Sequence, residues 1–256
     1  MIVRKNFKDN FLDTNIKKFV KQVRKKYSLI FKAIFSFNNL SKDIEKHFVK
    51  ENVKDVDIYV FTIFNKIHNI FQSAVLLTER GLCNDALILL RTMYESIFKM
   101  KYAIKEEKNL DIIINDELLK QKGILKKIKK YKLFEYMEEE DIVIKLKEIE
   151  EKITDKKQLN TETLSEDVGM NEQYIIYKYL CNYVHNNFSA IIEKVKETEE
   201  GIVIESGFDC ENICSTLLFL LEGFKDAIKC ISNYLEMPEY FLSAEKIIKN
   251  LEVTTN

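Results

Sequence analysis

The sequence predicts an all-α protein, a helical bundle of about 8–10 helices, from two observations. The chain of 256 residues contains 1 proline and 6 glycines. β-Sandwiches and barrels need a turn roughly every ten residues and usually use Gly and Pro to make it. Apolar residues also recur at three- and four-residue steps over long stretches, which is the period of one helix face. The scarcity of Gly and Pro, together with this helical period, favours long, uninterrupted helices.

Composition predicts a single domain over residues 1–256, because no linker rich in Pro, Gly or Ser divides the chain. The net charge of −1 argues against a surface that binds nucleic acid everywhere. The five cysteines are odd in number and show no CxxC spacing, so we interpret them as reduced and structural. The most apolar stretch is interrupted by Glu222, and the N-terminus has no apolar signal. A cytoplasmic protein without membrane contact is therefore expected.

Three long helices are predicted in the first half of the chain. One begins after Asp13 or Thr14 as N-cap. The second spans about residues 57–80, and Gly81 follows at the position where a helix end turns left-handed. The third starts near residue 84 or 85 and ends near residue 105, so the second and third helices form an antiparallel hairpin. A short helix is expected after Ser41.

The remaining elements divide the domain into regions. Residues 1–53 are predicted to form N-terminal helices, 54–108 and 171–251 the central bundle, and 109–170 a charged helical extension and loop. The lysine-rich run 120–132 is interpreted as a solvated helix, with contact to a nucleic-acid backbone as the alternative. The expected smaller elements are two or three thin helices over 109–157, a loop over 160–169, helices over 171–197, 209–235 and 239–251, and a short β-hairpin or an extended crossing near 201–208.

The helix predicted over 171–197 carries an informative polar stripe. Lys178, Asn182, His185 and Ser189 follow one another at steps of four, three and four, which places them on one helix face. Such a row suits a phosphodiester, with Lys178 as the cation and His185 as general acid or base. Asn182 and Ser189 would donate hydrogen bonds. The alternative is a solvated helix face that contains a histidine.

Arg91 and Glu95 form a second candidate pair. Arg91 lies on the apolar stripe of its helix, between Leu87 and Tyr94, so a buried guanidinium there must be paired. Glu95 is within reach at i+4. One interpretation is an ion pair at the edge of the core. The other is a cleft in which Arg91 binds a phosphate and Glu95 orients Arg91 or His185.

Other potential sites give weaker signals. His68 shares a face with Phe61, Phe64 and Phe71, so we interpret it as a hydrogen-bonded core or edge histidine rather than a ligand. The chain has 3 histidines and lacks the metal-binding HExxH motif, a phosphate-binding P-loop and the GxSxG motif of hydrolases. No metal and no cofactor are therefore expected.

Two segments carry a family resemblance. LLRTMYESIFKMKYA at residues 89–103 and IYKYLCNYVHNNFS at 176–189 resemble a family of bacterial proteins of unknown function. Its features are an arginine and a glutamate one helical turn apart, and a later tyrosine-rich helix that ends in valine and histidine. That family is similar to a divergent branch of the HEPN (higher eukaryote and prokaryote nucleotide-binding) superfamily of helical bundles. HEPN members include toxins, abortive-infection proteins and CRISPR-associated ribonucleases.

The resemblance implies roles for individual residues. The HEPN signature is an arginine, four to six intervening residues and a histidine, and His185 matches that histidine. Lys178 stands at the arginine position and lacks the bidentate fork, which Arg91 would supply from another helix. Tyr179 stands where a polar residue usually follows the arginine. The catalytic candidates are thus His185, Arg91, Glu95 and Lys178, and the substrate-binding candidates are Asn182, Asn186 and Ser189.

The function expected from the stripe and the resemblance is a metal-independent ribonuclease or an RNA-binding protein, acting as a toxin or antiphage effector. RNA, an antitoxin or defence-system protein, and a second copy in a homodimer are the expected partners. The alternative is a non-catalytic interaction or sensor module of a defence or toxin–antitoxin system. A third interpretation is a helical scaffold in which Arg91 and Glu95 merely pair.

Overall fold

A computed structural model confirms the all-α fold. It describes residues 16–49, 51–133, 138–155, 158–185, 187–188, 192, 195–199, 201–204 and 211–255. These residues form ten α-helices, one turn of 3-10 helix (Lys46–Phe48) and two short strands. The elements in chain order are α1 (Ile16–Lys26), α2 (Ser28–Glu45), α3 (Asp55–Thr78), α4 (Cys83–Lys105), α5 (Lys108–Tyr131), α6 (Glu139–Lys152), α7 (Thr161–Asp167), α8 (Asn171–Val184), β1 (Val195–Thr198), β2 (Gly201–Ile204), α9 (Ile213–Tyr234) and α10 (Pro238–Thr255).

The predicted hairpin of two long helices is confirmed as α3 and α4. Gly81 has a φ of 76°, in the left-handed region that the sequence required at this position. The N–H of Gly81 donates to the carbonyl of Thr78 at 2.9 Å, and the N–H of Leu82 donates to that of Leu77 at 3.0 Å. These bonds satisfy carbonyls at the end of α3 and turn the chain directly into α4.

Helix α9 covers the apolar face of this hairpin. The ring of Phe224 stacks on Phe71 with centroids 4.3 Å apart, and both rings are fully buried. Gly223 lets α9 approach α4, since a Cβ at this position would lie 2.8 Å from Cε of Met93 and 3.0 Å from Cδ1 of Leu90. Although α9 is strongly apolar, no helix among the described residues is long and apolar enough to cross a membrane.

The N-terminal helices differ from the prediction. The first predicted helix is divided at Tyr27, whose φ of −108° and ψ of 35° separate α1 from α2. The helix expected after Ser41 is wrong as a separate element, because α2 continues through Ser41 to Glu45. Ser41 is fully buried, so it packs within the helix rather than beginning one. The N-cap predicted at Asp13 or Thr14 lies outside the described residues.

The loop predicted over residues 160–169 is wrong, because this segment contains α7. The side chain of Asn160 accepts a hydrogen bond of 2.9 Å from the N–H of Glu162 and caps the helix. Leu164 and Ser165 are buried against the rest of the bundle. A helix of 7 residues is too short to display an apolar period.

The helix predicted over residues 171–197 is also too long. Helix α8 ends at Val184, where the N–H of Asn187 donates to the carbonyl of Asn182 at 3.1 Å. The two Asn side chains bond each other at 2.8 Å, which further closes the helix end. Strand β1 then pairs antiparallel with β2, with Thr198 opposite Gly201. The hairpin thus begins earlier than predicted, and residues 205–208 lie outside the described part.

The charged region contains two long helices, α5 and α6, that pack against each other. Asn115 of α5 is buried and fastens the segment after α6 to α5. Its side chain accepts from the N–H of Thr154 at 2.9 Å and donates to the carbonyl of Asp155 at 2.8 Å. From this anchor, the C-terminal half of α5 continues with exposed lysines on its surface.

Candidate functional site

Arg91 of α4 points at α8 and bonds two of its side chains. Nη2 donates to the hydroxyl of Tyr177 at 2.6 Å, and Nε donates to Sγ of Cys181 at 3.5 Å. The guanidinium carbon also lies 4.7 Å from the centre of the Tyr177 ring. Nη1 donates to Oε2 of Glu95 at 3.1 Å, so the predicted pair of Arg91 and Glu95 is confirmed.

The Arg91 guanidinium remains partly accessible. Its side chain is 20% exposed and that of Glu95 is 31% exposed. Desolvation disfavours the charged form, but the hydrogen bond to Cys181 and the fields of Tyr177 and Glu95 outweigh it, so the Arg91 pKa is above its ordinary value. Three of the five guanidinium N–H groups are engaged among the described residues, which leaves two to bind an acceptor.

A cleft of about 380 Å³ opens beside Arg91, between α3, α4 and α5. Its lining alternates in charge. Lys99 lies 3.8 Å from Glu95 of its own helix and 3.3 Å from Glu117 of α5. Lys66 of α3 also lines the cleft. The cleft therefore presents both cations and carboxylates to solvent at the outer edge of the Arg91 site, and Lys99 is paired with the two carboxylates.

His185 lies one helical turn beyond Cys181, at the exposed C-terminal end of α8. Its backbone N–H donates to the carbonyl of Cys181 at 3.1 Å, so the last turn of α8 is intact at this point. Residues one turn apart on a helix have Cβ atoms about 5–6 Å from each other. Since Arg91 contacts Cys181, the Arg91 guanidinium packs against the turn of α8 that precedes His185. The described residues that line the cleft beside Arg91 belong to α3, α4 and α5, and His185 is not among them.

The rest of the predicted stripe is divided by the end of α8. Lys178 is exposed, and Asn182 is half-buried with its side chain bonded to Asn187. Asn186 and Ser189 lie outside the described residues. The structure thus brings Arg91, Glu95 and the end of α8 together, while Asn182 closes the helix end with one of its polar groups.

Tyr177 and Cys181 were not among the predicted site residues. Tyr177 is buried, and Thr161 of α7 lies at its hydroxyl, so α7 also contributes to this site. Burial raises the pKa of the Tyr177 hydroxyl, although the bond from Thr161 and the charge of Arg91 oppose the shift. The spacing of four between Tyr177 and Cys181 places them on one face of α8, but this spacing does not indicate which face packs against α4.

His68 matches the prediction of a hydrogen-bonded core histidine. The ring is 4% exposed and stacks on Phe224 with centroids 5.7 Å apart. Nδ1 lies 2.8 Å from Oε1 of Glu45, and Nε2 lies 3.0 Å from Oδ1 of Asn38. Both ring nitrogens are thus used within the bundle.

A model of a family of unknown function, DUF5677, matches residues 57–202, which is more than half of the chain. The chain belongs to this family. The matched segment of DUF5677 includes α4 and α8, and therefore Arg91, Glu95, Tyr177, Cys181 and His185. No curated protein and no solved structure matches the chain.

Proposed function

We propose that this DUF5677 protein is a HEPN-like ribonuclease that cleaves RNA without a metal ion, as a cytoplasmic toxin or antiphage effector. The observation that supports the proposal is the position of Arg91, which bonds Tyr177 and Cys181, while His185 follows Cys181 by one helical turn. A partly exposed guanidinium and an exposed imidazole can supply charge stabilisation and proton transfer to one phosphodiester. Lys178, on the same side of α8, adds a second cation.

The proposed reaction is attack of a ribose 2′-hydroxyl on the adjacent phosphorus. The 2′-oxygen forms a bond to phosphorus, the bond to the 5′-oxygen breaks, and a 2′,3′-cyclic phosphate remains. His185 either accepts the 2′-hydroxyl proton or delivers a proton to the departing 5′-oxygen, and water exchanges the other proton. Arg91 and Lys178 stabilise the negative charge that develops on the phosphate oxygens. Glu95 holds Arg91 in position.

The test is cleavage of several RNAs by purified protein in the presence of EDTA. We expect wild-type protein to cleave and His185→Ala to lose the activity by about 100-fold or more. The matched control is His47→Ala, because His47 is an exposed histidine that bonds Tyr240 in another part of the fold. Equal survival of RNA with wild type and His185→Ala, together with unaffected growth of cells that express the protein, would contradict the enzymatic proposal.

Arg91→Lys separates the role of charge from that of the bidentate fork. Lysine keeps one positive charge but cannot bond Tyr177 and Glu95 together. We expect this variant to retain the fold and to lose cleavage, as shown by circular dichroism beside the RNA assay. Full activity of Arg91→Lys would contradict a role of the guanidinium in binding phosphate.

A homodimer is part of the proposal. Ile175 and Tyr179 of α8 are 70% and 54% exposed, so this helix presents apolar side chains that a second copy would cover. Sedimentation of the wild-type protein and of Ile175→Asp over a range of concentrations tests whether the dimer forms through this face. A monomeric wild-type protein at all concentrations would contradict the dimer.

A second candidate function is a non-catalytic interaction or sensor module, paired with an antitoxin or another defence protein. In the described part of the chain no side chain bonds the His185 imidazole, so nothing there fixes its tautomer as a catalytic base requires. Lys178 in place of arginine also favours this alternative. It predicts that His185→Ala changes binding of a partner or ligand and leaves RNA intact with every variant.

A further inference from the structure

The outer face of α5 continues the wall of the Arg91 cleft away from the bundle. Ile113 and Glu117 of α5 line the cleft. Lys120, Lys127 and Tyr131 follow on the same helix, and with Ile124 between them the steps from Glu117 are three, four, three and four residues. These steps keep to one side of an α-helix. We call Lys120, Ile124, Lys127 and Tyr131 the α5 stripe.

The stripe is exposed along its length. Ile124 is 59% exposed and Tyr131 is 63% exposed, and Lys120 and Lys127 are also exposed. From Glu117 to Tyr131 the helix rises about 21 Å at 1.5 Å per residue. Among the described residues, an exposed path thus continues from the Arg91 cleft along α5 over about four helical turns.

The lysines of α5 divide into two sets by their neighbours. On the side toward α6, Lys122 pairs with Glu150 at 2.9 Å and Lys129 lies 4.0 Å from Glu139. Lys126 lines a groove with Lys122 and Glu150 on this side. On the outer side, Lys120 pairs with Asp116 at 2.6 Å and lies 3.5 Å from Glu117, whereas Lys127 and Lys130 make no ion pair within the described residues. The acids of α6 therefore neutralise the inner set, and the positive charges of Lys127 and Lys130 face solvent.

The interactions that usually stabilise an exposed helix do not explain the lysines of the outer set. In an exposed helix an acid three or four residues from a base stabilises the helix, whereas Lys127 has Lys130 at i+3 and no acid at these spacings. Cations also complement the carbonyl end of a helix, but this effect is confined to the last turn. Lys127 precedes that turn. From Lys120 to Lys132 the sequence contains seven lysines and no acid, in a chain whose net charge is −1.

An exposed aromatic ring among these cations indicates the type of polyanion. Nζ of Lys130 lies 5.5 Å from the centre of the Tyr131 ring. Proteins that bind single-stranded nucleic acid combine a positive track for the backbone with aromatic rings on which bases stack. An acidic polypeptide would use the lysines but would gain little from the ring.

We propose that the α5 stripe, with Lys130 beside it, binds the backbone of single-stranded RNA as the strand leaves the Arg91 cleft, with one base stacked on Tyr131. This inference rests on the proposed function, because it assumes that RNA occupies the cleft. It assigns the affinity for RNA mainly to α5, and the chemistry to α4 and α8.

The test is the affinity of a fluorescent single-stranded oligouridylate, measured by anisotropy over a series of salt concentrations. All proteins carry His185→Ala so that the probe stays intact. The test variant is Lys127→Gln/Lys130→Gln. The matched control is Lys17→Gln/Lys18→Gln, which removes two exposed lysines from α1.

We expect the α5 variant to bind about tenfold or more weakly, with the slope of log affinity against log salt reduced by about 1.4, since each phosphate contact to a single strand contributes about 0.7. The α1 control should bind as the parent does. Tyr131→Ala should weaken binding about fivefold or more with an unchanged slope. Equal losses in the α1 and α5 variants, or none in the α5 variant, would overturn the assignment, as would polyglutamate that competes as well as polyuridylate.

Cleavage assays without the His185 substitution distinguish the two proposals. If wild type cleaves no RNA but the α5 variant still loses affinity, the α5 assignment stands and the proposed catalysis fails. If wild type cleaves RNA and the α5 variant binds as tightly as its parent, the catalysis stands and the α5 assignment fails.

Discussion

Nη2 of Arg91 donates a hydrogen bond of 2.6 Å to the hydroxyl of Tyr177, and this bond joins α4 to α8. Tyr177→Phe removes the acceptor and keeps the ring under the guanidinium. We expect a loss of about 1–2 kcal/mol in the free energy of unfolding, since the donor is charged and only partly buried. Urea denaturation of both proteins measures this difference in the free energy of unfolding. The control is Tyr131→Phe, because removing this exposed hydroxyl should change the free energy of unfolding by no more than about 0.5 kcal/mol. If the stability of Tyr177→Phe is unchanged, the bond does not hold the two helices together.

Gly223 and Gly123 both lie inside helices, and we expect substitution by alanine to have opposite effects on stability at the two positions. At Gly223 the new Cβ would lie 2.8 Å from Cε of Met93, so Gly223→Ala should destabilise by about 1–3 kcal/mol despite the better helix propensity of alanine. At Gly123 no atom lies within 4 Å of such a Cβ, so Gly123→Ala should stabilise by about 0.5–1 kcal/mol. Thermal unfolding of both variants checks the signs, and equal signs would refute the close approach of α9 to α4.

Arg24 anchors α1 to the end of α3. Nε of Arg24 lies 2.7 Å from Oε2 of Glu79, whose side chain is 2% exposed and also pairs with Arg80 at 3.0 Å. Arg24→Met leaves the buried Glu79 carboxylate with one partner. We expect the free energy of unfolding to fall by about 1–2 kcal/mol, which is less than for a fully buried ion pair because both arginines are partly exposed. Hydrogen exchange should accelerate in α1 first. Lys25→Met, beside it, should leave exchange unchanged; similar exchange in both variants would exclude the anchor.

Cys230 is a free, buried thiol, and burial raises its pKa from 9.0 to about 12. Iodoacetamide should therefore alkylate Cys230 much more slowly than the half-exposed Cys214 in the folded protein at pH 8, as read by peptide mass spectrometry. The same shift lowers stability between pH 9 and about 12, because the unfolded thiol ionises there while the folded thiol keeps its proton. Cys230→Ala should lessen this decline, and comparable alkylation of both thiols would contradict the burial.

Local sequence signals predicted the parts of the fold that local interactions decide. The α3–α4 hairpin followed from the apolar period and from Gly81, which needs a left-handed backbone. The bond of Arg91 to Glu95 followed from their spacing of four on one helix. Tyr177 and Cys181 were missed because the choice of which α8 residues face α4 depends on how the two helices pack. Helix propensity and period do not carry that information.

Polar capping residues account for the incorrect helix boundaries. Asn160 caps α7 inside a segment whose Thr, Ser and Asp residues suggested a loop. At the other boundary, apolar residues recur beyond Val184 and predict a longer helix, but Asn187 bonds back to Asn182 and ends α8. In both places a side-chain amide decided the structure, and an amide contributes nothing to a hydrophobic pattern.

The position of α9 has a practical consequence for work on this family. The family match covers residues 57–202, whereas the rings and aliphatic chains that seal α3 and α4 belong to α9, with Leu217, Leu220 and Phe224 fully buried. A fragment trimmed to the matched residues would leave that apolar surface in water, where such surface drives aggregation. Expression of other DUF5677 proteins should therefore retain the sequence that follows the match.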